Sequence, residues 1–207
     1  MSTSAPQLLK AIQDHKLRVF TTSDVVTLTG MKTPAAAHAL YRLSTGGLLM
    51  KIKRGLWVNR LLHDLNPYEA VPHLCAPWPA YVSLYSALSE YGVIEEIPQV
   101  IYAVSASRPI RYSTPIGGFH IHHLPENLIW GYEIRKAGQG SYPIAEPEKA
   151  FLDLVYLALI PRSPLELPYK RSRRWNLNKE TLRKYALRFK FPPVIEYIKT
   201  CLLYTSD

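Results

Sequence analysis

Two helix boundaries lie only two residues apart near the start of the chain, and they limit the possible folds more than any other feature. Gly30 can adopt the left-handed conformation that ends many helices. Thr33-Pro34 combines a good N-cap residue with a proline that is favoured in a first helical turn. Two helices joined by so short a turn are typical of a helix-turn-helix.

The first 47 residues contain the apolar periodicity and end signals of three helices. The predicted bounds are residues 6–15, residues 22–29, and Thr33 to the Gly46-Gly47 pair. Thr21 and Asp24 form a near capping box at the start of the second helix. The inward face of the third helix is predicted to contain Ala36, Leu40 and Leu43.

The segment LLMKIKRGLWVN after the third helix predicts a two-stranded hairpin, or wing. Met50 and Ile52 alternate with Lys51 and Lys53, and Arg54-Gly55 breaks the run. The order of elements predicts an N-terminal winged helix-turn-helix domain over residues 1–62. In such a domain the third helix presents polar side chains to base edges, while the helix N-terminus and the wing hold phosphates.

The remaining sequence predicts short elements separated by turns, because thirteen of the 17 prolines fall between residues 67 and 168. The segment YVSLYSALSEYG is predicted to form an amphipathic helix. Five runs rich in β-branched and aromatic residues predict strands at 99–106, 109–114, 118–124, 128–134 and near 142–144. The predicted fold class is therefore α+β: the winged domain is followed by a mixed α/β domain over residues 63–207, with a small sheet and flanking helices.

Two further helices are predicted in the last third of the chain. AEPEKAFLDLVYLALI begins with acids and a proline, and Lys149 and Asp153 in it are spaced as a helical ion pair. Asn178 is predicted to cap a helix that turns Leu182, Tyr185, Ala186 and Phe189 inward. The end of the chain, PPVIEYIKTCLLYTSD, shows no obvious last element.

The charge of the chain is unevenly distributed and favours a polyanionic partner. The net charge is +9; residues 1–65 carry nine basic and three acidic residues, residues 66–160 five and nine, and residues 161–207 eleven and four. A second basic surface is indicated by Lys170, Arg171, Arg173, Arg174, Arg183 and Lys184. Three interpretations of these basic C-terminal helices stay open: nucleic-acid binding, a solvated helix face, or a surface for a protein partner.

Enzyme chemistry finds little support in the sequence. The motifs of P-loop proteins, Rossmann folds, α/β-hydrolases and zincins are absent. His120, His122 and His123 lack a nearby carboxylate or cysteine to complete a metal site, and the cluster from Glu146 to Asp153 lacks the E-x-K spacing of a nuclease. We therefore expect a protein that is not an enzyme and needs no metal or cofactor.

The sequence shows neither a secretory signal nor an apolar run of the roughly 20 residues that a membrane span needs. Cys75 and Cys201 are far apart and have no C-x-x-C spacing. The expected location is the cytoplasm, with no membrane association.

Three passages together resemble the AbiEi-type antitoxins of type IV toxin-antitoxin, or abortive infection, systems. They are FTTSDVVTLTGMKTPAAAHALYRLSTGGLLMKIKRGLWV, WPAYVSLYSALSEYGVIEE and AEPEKAFLDLVYL, which occur in this order between residues 20 and 157. The resemblance implies a transcriptional repressor that binds inverted repeats in its own promoter as double-stranded DNA, with self-association on that DNA. It also implies a functional partner, a nucleotidyltransferase-like toxin that the antitoxin counteracts without needing a stable complex.

Carried over to this chain, the resemblance assigns DNA binding to the third helix and the wing. The assigned residues are Lys32, Thr33, Ala35, His38, Tyr41, Arg42, Lys51, Lys53 and Arg54. The leading hypothesis is a sequence-specific DNA-binding transcriptional regulator that acts as the antitoxin and autorepresses its operon. The alternative is a nucleic-acid-processing enzyme, a nuclease or an RNA-modifying protein, in which the winged helix binds the substrate.

Overall fold

Helices and strands are interspersed along the chain, and the computed structural model, which describes residues 5–167 and 176–203, has an α+β fold. The head, residues 5–62, contains α1 (Ala5–Asp14), β1 (Val19–Thr21), α2 (Thr22–Thr29), α3 (Thr33–Thr45), β2 (Leu49–Lys53) and β3 (Leu56–Asn59). The body, the described residues from 63 onward, contains α4 (Val71–Cys75), β4 (Ala80–Val82), α5 (Leu84–Glu90), β5 (Ile101–Ser105), β6 (Ile110–Thr114), β7 (Gly117–His123), β8 (Tyr132–Ala137), β9 (Gly140–Ala145), α6 (Pro147–Leu159), α7 (Lys179–Phe189) and α8 (Pro192–Leu203).

The predicted boundaries of the head helices are largely confirmed. The backbone N–H of Asp24 donates to Thr21 Oγ1 at 3.1 Å, and the Thr21 N–H donates to Asp24 Oδ2 at 2.6 Å, which completes the capping box. Gly30 ends α2 in the left-handed conformation, with φ of 68°. The prediction of Thr33 as N-cap is wrong. Lys32 holds that position, because its carbonyl accepts the first helical hydrogen bond from Ala36 at 3.0 Å.

The head contains a three-stranded antiparallel sheet in the order β1-β3-β2, to which β1 adds a strand that the sequence did not reveal. One face of this sheet, including Phe20 and Trp57, packs on α1, α2 and α3. Val19, Ile52 and Val58 belong instead to the large apolar core of the body. The sheet is therefore a layer shared by two cores. The predicted domain boundary after residue 62 stays a prediction.

The body is built on a six-stranded mixed sheet in the order β6-β7-β5-β4-β9-β8. The pairs β5/β7 and β4/β9 are parallel, and the other neighbours are antiparallel. Two predictions in this region are corrected. Residues 80–82 form β4 between β5 and β9, so the predicted helix at residues 81–92 is reduced to α5 after Ser83. The strand predicted from residue 128 begins only at Tyr132, because Gly131 has φ of 69° and breaks the run.

Helix α6 is buried on nearly all sides, since every residue from Glu148 to Val155 is buried. The predicted pair of Lys149 and Asp153 is confirmed, but it lies in the interior, with both side chains 0% exposed. Asn178 caps α7 as predicted, by accepting from the Thr181 N–H at 2.8 Å. The expectation of no last element is wrong, because α8 packs against α6 and α7.

Arg18 links the head to the body through side-chain hydrogen bonds. Arg18 Nε and Nη2 donate to the two carboxylate oxygens of Glu69 at 2.7 and 3.0 Å. Its Nη1 donates to Asp64 Oδ1 at 3.0 Å. Hydrogen bonds from Gln139 N–H and then from Arg18 lower the pKa of Asp64. The turn of the β8–β9 hairpin is thereby held at the same junction.

Candidate nucleic-acid interface

The solvent-facing side of α3 is the first element of the candidate interface. Ala36, Ala39, Leu40 and Leu43 are buried against α1, α2 and the sheet, so the helix has a fixed inward face. The remaining positions point outward. All six predicted residues of this helix region are exposed: Lys32, Thr33, Ala35, His38, Tyr41 and Arg42.

Tyr41 is the most unusual member of this surface, because a large aromatic ring here is 56% exposed. Among the described residues, the side chains of Lys32 and Arg42 have no ion-pair partner. A cation without an internal partner can pair with a phosphate, and exposed side chains on a helix can reach base edges. The exposed face of α3 is thus chemically suited to a nucleic acid.

The hairpin β2–β3 supplies the second element, but its three basic residues do not share one face. Lys51 and Arg54 are exposed, and the Lys51 ammonium lies 5.9 Å from the centre of the Trp57 ring. Lys53 is half-buried, and its ammonium donates to the Leu74 carbonyl at 2.9 Å.

The expectation that Lys53 lies beside Lys51 is therefore corrected. Lys51 pairs with Trp57 and Lys53 with Leu56, so Ile52 is an extra residue without a partner. Such a bulge breaks the alternation of faces along a strand. It turns Lys53 toward the body, where its ammonium also lies 5.0 Å from the centre of the Tyr112 ring.

Sequence reasoning overvalued Lys53, whose ammonium is held by the body, and it missed the exposed Arg60. Arg60 follows β3 and is exposed, and its guanidinium lies near Gly47 at the end of α3. It stands outside any helix or strand pattern, so no periodicity pointed to it. Arg18 is basic as well, but its bonds to Glu69 and Asp64 commit it to the junction.

The second basic surface is only partly within the described residues. Arg183 and Lys184 lie on the exposed side of α7, where Leu187 is 64% exposed. Arg188 on the same helix stacks on Trp130, with 4.0 Å from its guanidinium carbon to the ring centre. Lys170, Arg171, Arg173 and Arg174 lie outside the described residues.

The histidines of β7 do not assemble a metal site in the part of the chain that the structure describes. His120 and His122 lie beside Tyr102 of β5, with ring centres 5.5 and 6.0 Å from that of the tyrosine. His122 Nε2 is buried without a hydrogen-bond partner among the described residues. Burial, followed by the charges of His120 and Arg111, lowers the pKa of His122 to about 4.

The acidic cluster from Glu146 to Asp153 is occupied by internal contacts. Glu146 accepts from the Tyr185 hydroxyl at 2.6 Å, and Glu148 accepts from the Asn178 N–H at 2.7 Å. Asp153 accepts from Lys149 and from the Ser83 hydroxyl, the latter at 2.8 Å. These carboxylates link α5, α6 and α7.

The Lys149 side chain is buried in the body, and aromatic rings surround its ammonium group. Its ammonium donates to the Tyr81 hydroxyl at 2.7 Å and lies 4.9 Å from the centre of the Trp130 ring. Burial lowers the pKa of Lys149 and raises that of Asp153, while the contact between the two charges opposes both shifts. The sequence signal for this network was the i, i+4 spacing alone, which does not reveal burial.

No helix of the described residues combines the length and apolar character that crossing a bilayer requires. No protein-family model matches the sequence, and no curated protein matches it either.

Proposed function

We propose that the head is a winged helix-turn-helix domain and that the chain is a sequence-specific DNA-binding transcriptional regulator. The order α1-β1-α2-α3-β2-β3, with the sheet order β1-β3-β2, supports this assignment. In this proposal α3 enters the major groove, and the β2–β3 turn contacts the neighbouring phosphates.

The observation that carries the proposal is a division among the basic residues of the head. Arg18 and Lys53 are held by internal acceptors. Lys32, Arg42, Lys51 and Arg54 are exposed, and none has an ion-pair partner among the described residues. Exposed, unpaired cations beside a helix with a polar outer face are the groups that neutralise a phosphate backbone.

We further propose that the protein is the antitoxin of a type IV toxin-antitoxin system, located in the cytoplasm. It would repress its own operon by binding inverted repeats in the promoter, and it would counteract a nucleotidyltransferase-like toxin. This step rests on the resemblance of three sequence passages to AbiEi-type antitoxins. The body then supplies the neutralising function, and no cofactor is required.

Fluorescence anisotropy tests the DNA-binding part of the proposal. The protein is titrated against the duplex upstream of its own gene and against a scrambled duplex of equal length, over salt concentrations from roughly 50 to 200 mM. A specific regulator binds the native duplex ~10³-fold or more tightly than the scrambled one. Four phosphate contacts give a salt slope of about −3 to −4.

Equal affinity for both duplexes at every salt concentration would contradict a sequence-specific regulator. The antitoxin part has a separate test, in which the chain is co-expressed with the product of its neighbouring gene. Growth arrest by that product alone, relieved by this chain, supports the proposal. Absence of toxicity, or toxicity that this chain does not relieve, contradicts it without affecting the DNA-binding result.

A further inference from the structure

A cleft of about 510 Å³ opens where the head meets the β8–β9 hairpin of the body. The head contributes Lys16 and Arg18, and the body contributes Glu69, His73, Lys136 and residues 138–141. Small-molecule sites in proteins have volumes of roughly 300 to 1,000 Å³ and often lie where two structural units meet. The size and position of the cleft are those of a ligand site.

The charges in this cleft leave two free cations. The Glu69 carboxylate accepts hydrogen bonds from Arg18 and from the Asn66 N–H, so it and Arg18 satisfy each other. The side chains of Lys16 and Lys136 are exposed and have no ion-pair partner among the described residues. One of these lysines belongs to the head and the other to the body.

His73 adds an uncharged polar group to the wall of the cleft. It is half-buried, and burial lowers the pKa of its ring, despite opposing contributions from Asp24 and Glu69. A neutral imidazole can donate one hydrogen bond and accept another. It can therefore orient a ligand without contributing to the net charge.

A second cleft, which also includes Gly138, lies next to the same hairpin and gives an internal comparison. It has a volume of about 590 Å³, and its lining includes His63, Asp64 and Glu90, with no lysine or arginine among the described residues around it. Two cavities of similar size thus adjoin one hairpin and have linings of opposite charge. The positive character of the first cleft is local to Lys16 and Lys136.

We propose that the cleft between Lys16 and Lys136 binds a small molecule with at least two negative charges, of the class of polycarboxylates and phosphate esters. One anionic group pairs with Lys16 of the head and another with Lys136 of the body, so the ligand bridges the two units next to Arg18. This inference goes beyond the proposed function, and it does not depend on DNA binding.

The test is a nuclear magnetic resonance titration of the full ¹⁵N-labelled chain with citrate and with pyrophosphate. Maltose serves as a neutral comparison compound and spermidine as a polycation. We expect saturable shifts of the backbone amides at residues 16–19 and 138–141 with both anions, and none with maltose or spermidine. Shifts that do not saturate, or that spread over all basic surfaces, would overturn the proposal.

Paired variants locate the binding. K16Q/K136Q should weaken anion affinity roughly tenfold, because both exposed ion pairs with the ligand are lost. K10Q/K199Q removes the same charge from two other exposed lysines and should leave the affinity unchanged. Equal weakening by both double variants would overturn the proposal.

A short scrambled duplex distinguishes the source of the phosphate. If the duplex shifts the cleft amides while citrate and pyrophosphate do not, the cleft contacts a DNA backbone and the small-molecule proposal is wrong. If the small anions bind and the duplex leaves these amides unmoved, the proposal stands whatever the outcome of the anisotropy experiment.

Discussion

Arg18 and Glu69 form a two-point ion pair across the junction of head and body, with N···O distances of 2.7 and 3.0 Å. Their side chains are 11% and 6% exposed. A planar guanidinium matches a carboxylate in this geometry, which an ammonium cannot reproduce. The hydrogen bond to Glu69 raises the pKa of Arg18, so the guanidinium stays charged at every accessible pH.

Replacing Arg18 should therefore destabilise the protein strongly. Arg18→Met leaves Glu69 buried without its cation, and we expect the free energy of unfolding to fall by about 3 kcal/mol. The stability of Arg18→Lys should lie between those of Arg18→Met and the native protein, because lysine keeps the positive charge but cannot make the two-point contact of a guanidinium. Urea denaturation measures both. Arg54→Met, at an exposed position, is the control, and a loss as large as that of Arg18→Met would refute the role of the junction.

Gly140 packs directly against the same carboxylate. A Cβ atom added at Gly140 would overlap the Glu69 carboxylate, which Arg18 prevents from moving away. We expect Gly140→Ala to cost about 1 to 3 kcal/mol of stability through overpacking. In a Glu69→Ala background the added methyl group has room, so its cost should nearly vanish. Equal costs in the two backgrounds, from thermal or urea unfolding, would exclude this contact as the cause.

The buried pair of Lys149 and Asp153 predicts strong non-additivity. Lys149→Met leaves the Asp153 carboxylate in the core without its cation, and Asp153→Asn leaves the Lys149 ammonium there without its anion. Each single variant should lower the free energy of unfolding by about 3 to 5 kcal/mol. The double variant K149M/D153N leaves no unpaired charge and should cost clearly less than the sum of the two. A double-mutant cycle by chemical denaturation gives the coupling energy. Additive losses would mean that the pair acts as two independent residues.

His122 should make the stability depend on pH between about 6.5 and 4. Its folded-state pKa of about 4 lies below the unfolded value, so the unfolded chain binds more protons in this window. Stability is therefore lost as the pH falls, by about 1 to 2 kcal/mol after allowance for partial exposure. His122→Gln should flatten this profile, whereas His123→Gln, at the exposed neighbouring position, should leave it unchanged. An identical profile in all three proteins would contradict the prediction.

Lys51 and Lys53 form a matched pair for the proposed DNA contact. Lys51→Ala removes an exposed cation and should reduce the salt slope of DNA binding by about 1. Lys53→Ala removes a cation that the Leu74 carbonyl already holds, so the slope should not change although stability decreases. Anisotropy over a salt series measures the slopes, and urea denaturation measures stability. A slope reduced by Lys53→Ala and not by Lys51→Ala would reverse the assignment.

Local signals predicted the helical part of the fold well. The capping box at Thr21 and the left-handed Gly30 depend on contacts between residues close together in the sequence, so the nearby sequence is enough to predict them. Tyr81 shows the opposite case. Its helical spacing with Leu84 and Leu88 predicted a helix, but pairing with β5 and β9, from distant parts of the chain, makes it part of a strand.

For the candidate interface too, the sequence predicted the local features and missed those that depend on the folded chain. The exposed face of α3 follows from periodicity, and all six predicted positions of that region are exposed. The orientation of Lys53 depends on the bulge at Ile52, which alternation along a strand cannot reveal. The cleft at Lys16 and Lys136 joins residues that are 120 positions apart, and only the folded chain brings them together.

The outer face of the three-stranded sheet, with Val19, Ile52 and Val58, is covered by the body. Cutting the chain after residue 62 would leave that face bare to water, and an uncovered apolar sheet invites association with other chains. The head therefore cannot be transferred alone to another protein without exposing this apolar face. A fusion protein that contains the head must also contain the body, or another apolar surface that packs against these three side chains.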